Sequence, residues 1–292
     1  MSSPFRALLL MGLVLVTASA QAVEKAKIVL IAGNPSHGPG DHEFNAGILL
    51  LETCLKELPN VNPVVVKGGW PKDESVFDGA ASVVFFMDGG GGHPMIQNGR
   101  LKTMQALMDK GVGLACLHYA VEVPKGEPGD KFRDWIGGYY ETGYSTNPHW
   151  TAEIKGFPKH PITRGVKPFA VRDEWYFNMR FRPEMKGVTP IIVAAPDDKT
   201  REGVSASPRG PYKHILADKG RDEILAWAVE RPDGGRGFGF TGAHAHKNWG
   251  DPNFRKLVLN AILWSAKLDV PDKGMECDVS EEELKKNLDP KK

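Results

Sequence analysis

The sequence predicts an α/β fold built around a mostly parallel sheet. Apolar runs of strand length alternate with stretches of helical period between residues 27 and 120, and this alternation is typical of doubly wound sheets. Residues 112–120 form a mostly small, apolar run after a helix, as expected of a strand covered on both faces. Beyond this central strand, short strand candidates separated by turns indicate that part of the sheet is antiparallel.

The first half of the chain supplies the parallel elements. Its apolar periodicity predicts strands at 27–32, 61–66 and 81–87, and helices at about 43–58 and 101–108. Asp41 is the expected N-cap of the first helix, because it immediately precedes the first residues of helical period.

The second half is less regular. Residues 121 to about 168 are crowded with Gly, Pro, Tyr and Trp, which predicts an irregular excursion over the strand ends, where functional residues are often found. A final amphipathic helix is expected after a cap at Asp251 or Asn253. From about residue 267 the chain becomes charged, which predicts a mobile tail at 269–292. Further strand candidates lie at 151–154, 169–171, 189–194, 224–229 and 237–241.

Composition and charge limit the classes of partner. Of the 292 residues, 41% are hydrophobic and 25% charged, which is ordinary for a globular protein with a large core. Lys plus Arg (37) nearly cancels Asp plus Glu (36), so the formal net charge is +1. No basic stripe is present, which argues against nucleic acid as the main partner, because phosphate-binding surfaces need clustered Lys and Arg.

The first 22 residues have the pattern of a signal peptide. Arg6 precedes an apolar run at 7–16, and small residues at 18–22 offer a cleavage site. The run is about half of the ~20 residues that span a bilayer, so no membrane span is expected after cleavage. We therefore expect an exported protein with one domain at 23–268, followed by the charged tail.

The chain has three cysteines, which leaves at least one thiol unpaired within a monomer. Cys54 and Cys116 lie in apolar patterns and are interpreted as small core residues, so the sequence does not predict a disulfide-stapled fold. Cys116 and His118 lie two apart on a strand and share one face, which keeps a thiol–imidazole nucleophile open as an alternative.

His118 follows the central strand, at the sheet edge where ligands of open α/β sheets bind. The loop after the first strand adds His37 and His42, with Asp41 and Glu43 beside them. Imidazoles and carboxylates together can bind a divalent metal or transfer protons. A core histidine and a capped, solvated loop are the structural alternatives.

Residues 89–92 are all glycine and follow a strand, as a phosphate-binding loop would. The chain has neither the Gly-x-Gly-x-x-Gly fingerprint there nor a Walker Lys-Ser/Thr pair, so no nucleotide cofactor is expected. Asp88, directly before the glycines, is a candidate to bind a hydroxyl-rich ligand.

Histidines and carboxylates also lie beside aromatic residues at several short strand ends. Such a mixture suits a sugar pocket, where rings stack on the sugar and polar groups bind its hydroxyls; ordinary tryptophan packing is the alternative. The segments are His149-Trp150, Asp173-Glu174-Trp175-Tyr176, and His244-x-His246 with Trp249.

Five short motifs occur in order: Ser36-His37-Gly38-x-x-Asp41-His42-Glu43, Gly113-x-x-x-x-His118, His160-Pro161-Ile162-Thr163-Arg164-Gly165, Asp173-Glu174-x-Tyr176, and Gly237-x-x-x-x-Gly242-x-His244 followed by Trp249. Over residues 26–266 the chain thereby resembles the ThuA-like (trehalose utilisation) family. The resemblance implies a class I glutamine amidotransferase-like three-layer sandwich with a flavodoxin-like core, without that superfamily's catalytic cysteine pattern. It also implies a role in sugar catabolism, in routes through 3-keto intermediates.

By that resemblance His37, His118, Glu174 and His244 are site residues, whereas His246 is an additional histidine of undefined role. We expect an exported enzyme that acts on a glycoside or 3-keto-sugar, with His118, His37 and Glu174 as catalytic residues. A divalent metal, zinc or similar, would bind His37, His118 and His244. The expected substrate contacts are Asp88, His42, His149, Tyr176 and Trp249. A non-catalytic sugar-binding or accessory module with the same cleft is the alternative function.

Overall fold

The computed structural model describes residues 25–203 and 210–291. The predicted signal peptide, residues 1–22, lies outside this part of the chain. Within the described residues, no helix is both long enough and apolar enough to cross a bilayer.

A seven-stranded mixed sheet forms the centre of the described chain, in the order β2-β1-β3-β4-β11-β10-β9. The strands from β2 to β11 in this order run parallel, and β10 and β9 are antiparallel to their neighbours. The predicted α/β fold with a mostly parallel sheet and an antiparallel part is therefore confirmed. The bounds are β1 (Ala26–Ala32), β2 (Val61–Val66), β3 (Ala80–Phe86), β4 (Gly113–Leu117), β9 (Val188–Ala194), β10 (Glu223–Glu230) and β11 (Arg236–Phe240).

Two short antiparallel pairs lie outside this sheet, and helices cover its faces. The pairs are β5 (Gly138–Tyr139) with β8 (Arg180–Phe181), and β6 (His149–Ile154) with β7 (Phe169–Glu174). The α-helices are α1 (Phe44–Lys56), α2 (Arg100–Asp109), α3 (Glu127–Trp135), α4 (Asp198–Arg201), α5 (Lys213–Ala217), α6 (Pro252–Ser265) and α7 (Glu281–Leu284).

The sheet lies between two layers of helices, and an apolar core fills the space on each of its faces. One contains the buried sides of α1 and α6, and the other contains those of α2 and α3. Because successive strand residues point to opposite faces, Val84 and Phe86 of β3 join the first core, while Val83 and Phe85 join the second. The sheet is thus buried on both sides, which is the environment that its continuous apolar runs predict.

The predicted N-cap of the final helix is confirmed, whereas that of the first helix is wrong. The Asp251 side chain accepts bonds from the backbone N–H groups of Asn253 (2.8 Å) and Phe254 (3.0 Å), as an N-cap does. Asp41, in contrast, does not cap α1, which begins three residues later at Phe44. The excursion after β4 also contains the helix α3, which we did not predict. Pro128 lies in the first turn of this helix, where proline is tolerated.

The cysteines and the C-terminal segment (residues 269–291) differ most from expectation. Cys54 of α1 forms a disulfide with Cys277, 223 positions later, so the interpretation of Cys54 as a plain core residue was wrong. The expected mobile tail was also wrong, because the segment packs back on α1 and on residues 246–250. Spacing along the chain cannot reveal a pair this distant, because only the folded sheet brings the two cysteines together. Cys116 is free and fully buried, as expected.

Removing the disulfide should destabilise the fold. We expect the Cys54→Ser/Cys277→Ser variant to lose about 2–4 kcal/mol of unfolding free energy, since the bond restricts the unfolded chain, and denaturant titration measures this. Thiol titration of the unfolded, unreduced protein should find only Cys116. Reaction of all three cysteines in that assay would contradict the pairing.

Candidate functional site

The candidate site lies where the carboxyl ends of four strands meet. Loops after β1, β3, β4 and β11 carry His42, Asp88, His118 and His244, and the last residue of β7 is Glu174. In a parallel sheet these ends share one edge, and β11 joins them because it runs parallel to β4. The strand order changes direction between β1 and β3, so the loops after these strands diverge and leave a crevice.

Three histidines and one carboxylate form the centre of the site. His42 Nε2 lies 2.9 Å from His244 Nδ1 and 3.0 Å from His118 Nε2. His244 Nδ1 lies 3.3 Å from His118 Nε2 and 3.0 Å from Glu174 Oε2, which is 3.5 Å from His118 Nε2. We call His42, His118, His244 and Glu174 the His/Glu group; their four ligand atoms lie within 4.8 Å of one another.

An oxygen acceptor lies behind each of the three rings. Because these oxygens accept hydrogen bonds, they favour a proton on the outer nitrogen of each ring and leave the inner nitrogen with a free lone pair. The three pairs are His118 Nδ1 with the Thr241 carbonyl (2.9 Å), His42 Nδ1 with Asp88 Oδ1 (3.1 Å), and His244 Nε2 with Asp41 Oδ2 (3.5 Å).

This donor set fits a metal ion. Three lone pairs about 3 Å apart repel one another unless a cation lies between them. Nitrogen and oxygen ligands at about 2.0–2.1 Å from a tetrahedral zinc are separated by roughly 3.3 Å, close to the 2.9–3.5 Å observed here. The His/Glu group could therefore hold a metal.

The electrostatics agree with positive charge at the centre. Burial lowers the pKa of His42 far below its ordinary value, and the neighbouring imidazoles lower it further, so this ring is neutral at pH 7. Burial alone would raise the pKa of Glu174, but contact with the His118 and His244 rings in their protonated state outweighs burial and keeps the carboxylate ionised. For His244, burial lowers the pKa, yet Glu174 and Asp41 produce a net rise.

The backbone at the site is strained. His37, His42 and His118 have φ angles of 60°, 48° and 53°, in the left-handed region that side chains disfavour. Ala243, directly before His244, has φ 84°. Each such residue costs roughly 1–3 kcal/mol and persists only where the surroundings hold it, as they do at functional sites.

His37 lies beside the His/Glu group rather than within it. Its ring stacks on His42 with centroids 3.6 Å apart, and Nδ1 lies 4.0 Å from Asp88 Oδ1. The side chain is 43% exposed, and burial of the remainder lowers its pKa in spite of the charge on Asp88. The structure therefore places His42, which we had expected to bind substrate, where we had expected His37.

Hydroxyl and amide groups surround the other side of the site. Tyr176 Oη lies 3.2 Å from His118 Nε2, and burial holds the Tyr176 pKa well above its ordinary value, so the hydroxyl stays protonated. The Asn147 side chain donates to Glu174 Oε1 (3.0 Å) and accepts from Tyr140 Oη (3.3 Å). These bonds fix the orientation of the carboxylate.

Of the expected residues, Trp249 lies apart from the centre and His149 lies at its edge, and the additional histidine, His246, also lies apart. Trp249 is fully buried against Phe86 and Phe254, so its indole has no free face for a sugar and that assignment was wrong. His246 donates to the Leu284 carbonyl instead of joining the group (2.9 Å). His149 is exposed, and its ring centroid lies 4.8 Å from that of His244.

A cleft of about 650 Å³ opens beside His244. Asp41, His149, and Leu284 and Leu288 of the C-terminal segment are among the residues that line it. A ligand in this cleft would therefore contact the outer side of the His/Glu group.

Sequence reasoning missed Glu122. Its carboxylate accepts a bond from Thr142 Oγ1 (2.9 Å), and burial raises its pKa to about 7, to which the charge on Glu174 contributes. A Cβ at Gly90 would lie 3.5 Å from Glu122 Oε1 and 3.4 Å from Tyr119 Oη, so the bare glycine loop closes over both groups. In the sequence, the available indication of a site role for Glu122 was its position four residues after His118, just past the end of β4.

Cys116 does not take part. It is fully buried on β4, and burial raises the pKa of its thiol, which opposes the thiolate that a nucleophile needs. The thiol–imidazole alternative is therefore not supported by the geometry.

Comparison with known proteins agrees with this architecture. The sequence matches the ThuA family, described as trehalose utilisation, over residues 44–265. A ThuA-like protein from Bacteroides uniformis aligns with a TM-score of 0.58 at 14% identity, covering 86% of this chain and 96% of that one. A second, from Parabacteroides merdae, has a TM-score of 0.55 at 17% identity, with coverage of 90% and 100%. No curated protein matches the sequence.

At these identities the two structures show the shared fold alone, whereas the family match spans most of the chain. The expected glutamine amidotransferase-like, flavodoxin-like sandwich is confirmed. The chain belongs to the ThuA (trehalose utilisation) family.

Proposed function

We propose that this protein is an exported, zinc-dependent enzyme that acts on a glycoside or a 3-keto-sugar. The observation that carries the proposal is the His/Glu group, in which three inward lone pairs and an ionised carboxylate converge on one point. Nitrogen and oxygen donors of this kind suit zinc. The family description, trehalose utilisation, supports a small carbohydrate as the substrate.

Two features support export. The pattern at residues 1–22 is that of a signal peptide, which we propose is removed to leave the domain at 23–268 and the C-terminal segment. The Cys54–Cys277 disulfide suits an oxidising compartment outside the cytoplasm.

His42, His118, His244 and Glu174 would hold the ion, with Asp88, Asp41 and the Thr241 carbonyl orienting the three rings. When bound, zinc supplies a Lewis acid that polarises a carbonyl or hydroxyl oxygen of the sugar. Tyr176 packs against the His118 ring, and Asn147 keeps Glu174 in place through its hydrogen bond.

His37 and Glu122 would transfer protons. His37 is neutral at pH 7, because burial lowers its pKa, and it is exposed enough to reach substrate, so it can accept a proton. Glu122 can donate one, because burial raises its pKa to about 7 while that of Glu174 is lowered. Carboxyl groups whose pKa values are driven apart in this way commonly divide acid and base roles. Asp88 and His149, both partly or fully exposed beside the rings, would bind sugar hydroxyls.

Zinc affinity should distinguish His42, which belongs to the His/Glu group, from His37, which lies outside it. Purified protein should bind zinc stoichiometrically, and His42→Ala should weaken binding by more than the roughly 10–100-fold cost of losing a residue that orients a ligand. His37→Ala should leave the affinity unchanged, because His37 lies outside the group. Calorimetric titration with elemental analysis measures both; equal affinities in the two variants, or no zinc in the wild type, would contradict the proposal.

Turnover tests His37 directly. A screen of disaccharides and their 3-keto derivatives should identify a substrate, and His37→Ala should lower kcat on it by roughly 10²–10⁴-fold, the usual contribution of a positioned acid or base. His160→Ala, which alters a histidine on the α6 side of the protein, is the control. Full turnover in His37→Ala would remove that residue from the chemistry, and sugar binding without turnover in the wild type would identify a binding module.

The pH profile tests Glu122. If its carboxylic acid donates a proton, the rate should be highest below pH 7 and fall as pH rises through about 7, where the acid ionises. Glu122→Gln should be slow and lack this limb, whereas Glu127→Gln, an exposed change on α3, should retain it. An unchanged limb in Glu122→Gln would assign the titration to another group.

A further inference from the structure

The C-terminal segment contacts two of the loops that carry members of the His/Glu group, those with His42 and His244. On the His42 side, the backbone N–H of Asp289 donates to Glu43 Oε2 (2.7 Å). On the His244 side, His246 Nε2 donates to the Leu284 carbonyl (2.9 Å). The Cys54–Cys277 disulfide tethers the segment to α1, so its position is fixed at both ends.

Lys291 forms a buried ion pair in this contact. Its Nζ lies 3.3 Å from Glu43 Oε1, and the two side chains are only 4% and 1% exposed. Nζ also donates to the backbone carbonyls of Asp41 and Gly38. Charged groups are buried only where partners compensate for lost hydration, and here every partner of Nζ belongs to the loop that carries His42.

The same loop contains two of the strained residues, His37 and His42. Glu43 directly follows His42, whose φ is 48°, and its Oε1 also accepts from the Gly40 N–H (2.9 Å). Asp41, whose carbonyl Lys291 binds, presents its carboxylate to His244 Nε2 at 3.5 Å. Backbone strain of this kind relaxes unless the surroundings hold the loop, and Lys291 contacts it at three points.

We infer that Lys291 is a positioning residue for the metal site. By holding Glu43 and the carbonyls of Asp41 and Gly38, it keeps His42 Nε2 directed at the centre of the group and keeps Asp41 behind His244. Lys291 itself touches neither metal nor substrate. The inference rests on the proposed function for the identity of the ion, but the ordering of the loop by Lys291 does not depend on it.

The test compares Lys291→Met with Lys291→Arg and with Lys286→Met, which removes an exposed lysine from the same segment. Zinc affinity should fall roughly 10–100-fold in Lys291→Met, as for other residues that orient a ligand. Lys291→Arg should recover most of the affinity, and Lys286→Met should match the wild type. The visible spectrum of the cobalt-substituted protein should change only in Lys291→Met, because it reports ligand geometry.

Hydrogen exchange supplies a readout without metal. Amides of residues 36–43 should exchange faster in Lys291→Met than in Lys286→Met, with unchanged exchange in the sheet. Glu43→Gln should behave like Lys291→Met, and the double variant should lose little more than either single one, because paired residues are not additive.

The outcomes separate the two hypotheses. If the wild type binds no zinc, the proposed function is wrong, and loop exchange still decides the role of Lys291. If zinc binds but Lys291→Met leaves both affinity and exchange at wild-type values, the positioning role is wrong while the metal site stands.

Discussion

The site depends on three imidazoles whose outer nitrogens face acceptors. Asp88, Asp41 and the Thr241 carbonyl favour a proton on the outside of each ring, so the inner nitrogens face one another with free lone pairs. Such an arrangement is unfavourable without a cation, and Glu174 adds an ionised carboxylate at the same point. The surrounding features of the site, the strained loops and the buried ion pair, are what is needed to hold this geometry together.

The fold supplies that support from distant parts of the chain. Parallel strands β1, β3, β4 and β11 end at one edge, so His42 and His244, which are 202 residues apart in the sequence, meet there. The backbone bond from His42 N–H to the His244 carbonyl (2.9 Å) joins the first and last of these loops directly. The sheet and the tethered C-terminal segment restrict the positions of the residues in the His/Glu group, as a preorganised site requires.

In the proposed function, metal ligation and proton transfer are assigned to different residues. The His/Glu group is nearly buried, whereas His37, Asp88 and His149 are exposed around it. The charge of an ion held at the buried centre would act more strongly than in water, and the exposed side chains are accessible to a ligand. Burial raises the pKa of Glu122, whereas Glu174 is ionised, so these two carboxyl groups differ in protonation behaviour.

The α/β fold and the central strand ending at His118 were determined by the sequence alone, and the family motifs selected His118, His244 and Glu174, which the structure brings together. Apolar periodicity and strand-end positions are local properties that the chain displays directly. Four features were decided only by the tertiary structure. They are the position of His42 rather than His37 in the His/Glu group, the burial of Trp249, the Cys54–Cys277 disulfide and the Glu43–Lys291 ion pair. Each depends on which way a side chain points or on contacts between distant residues, and neither leaves a periodic pattern in the sequence.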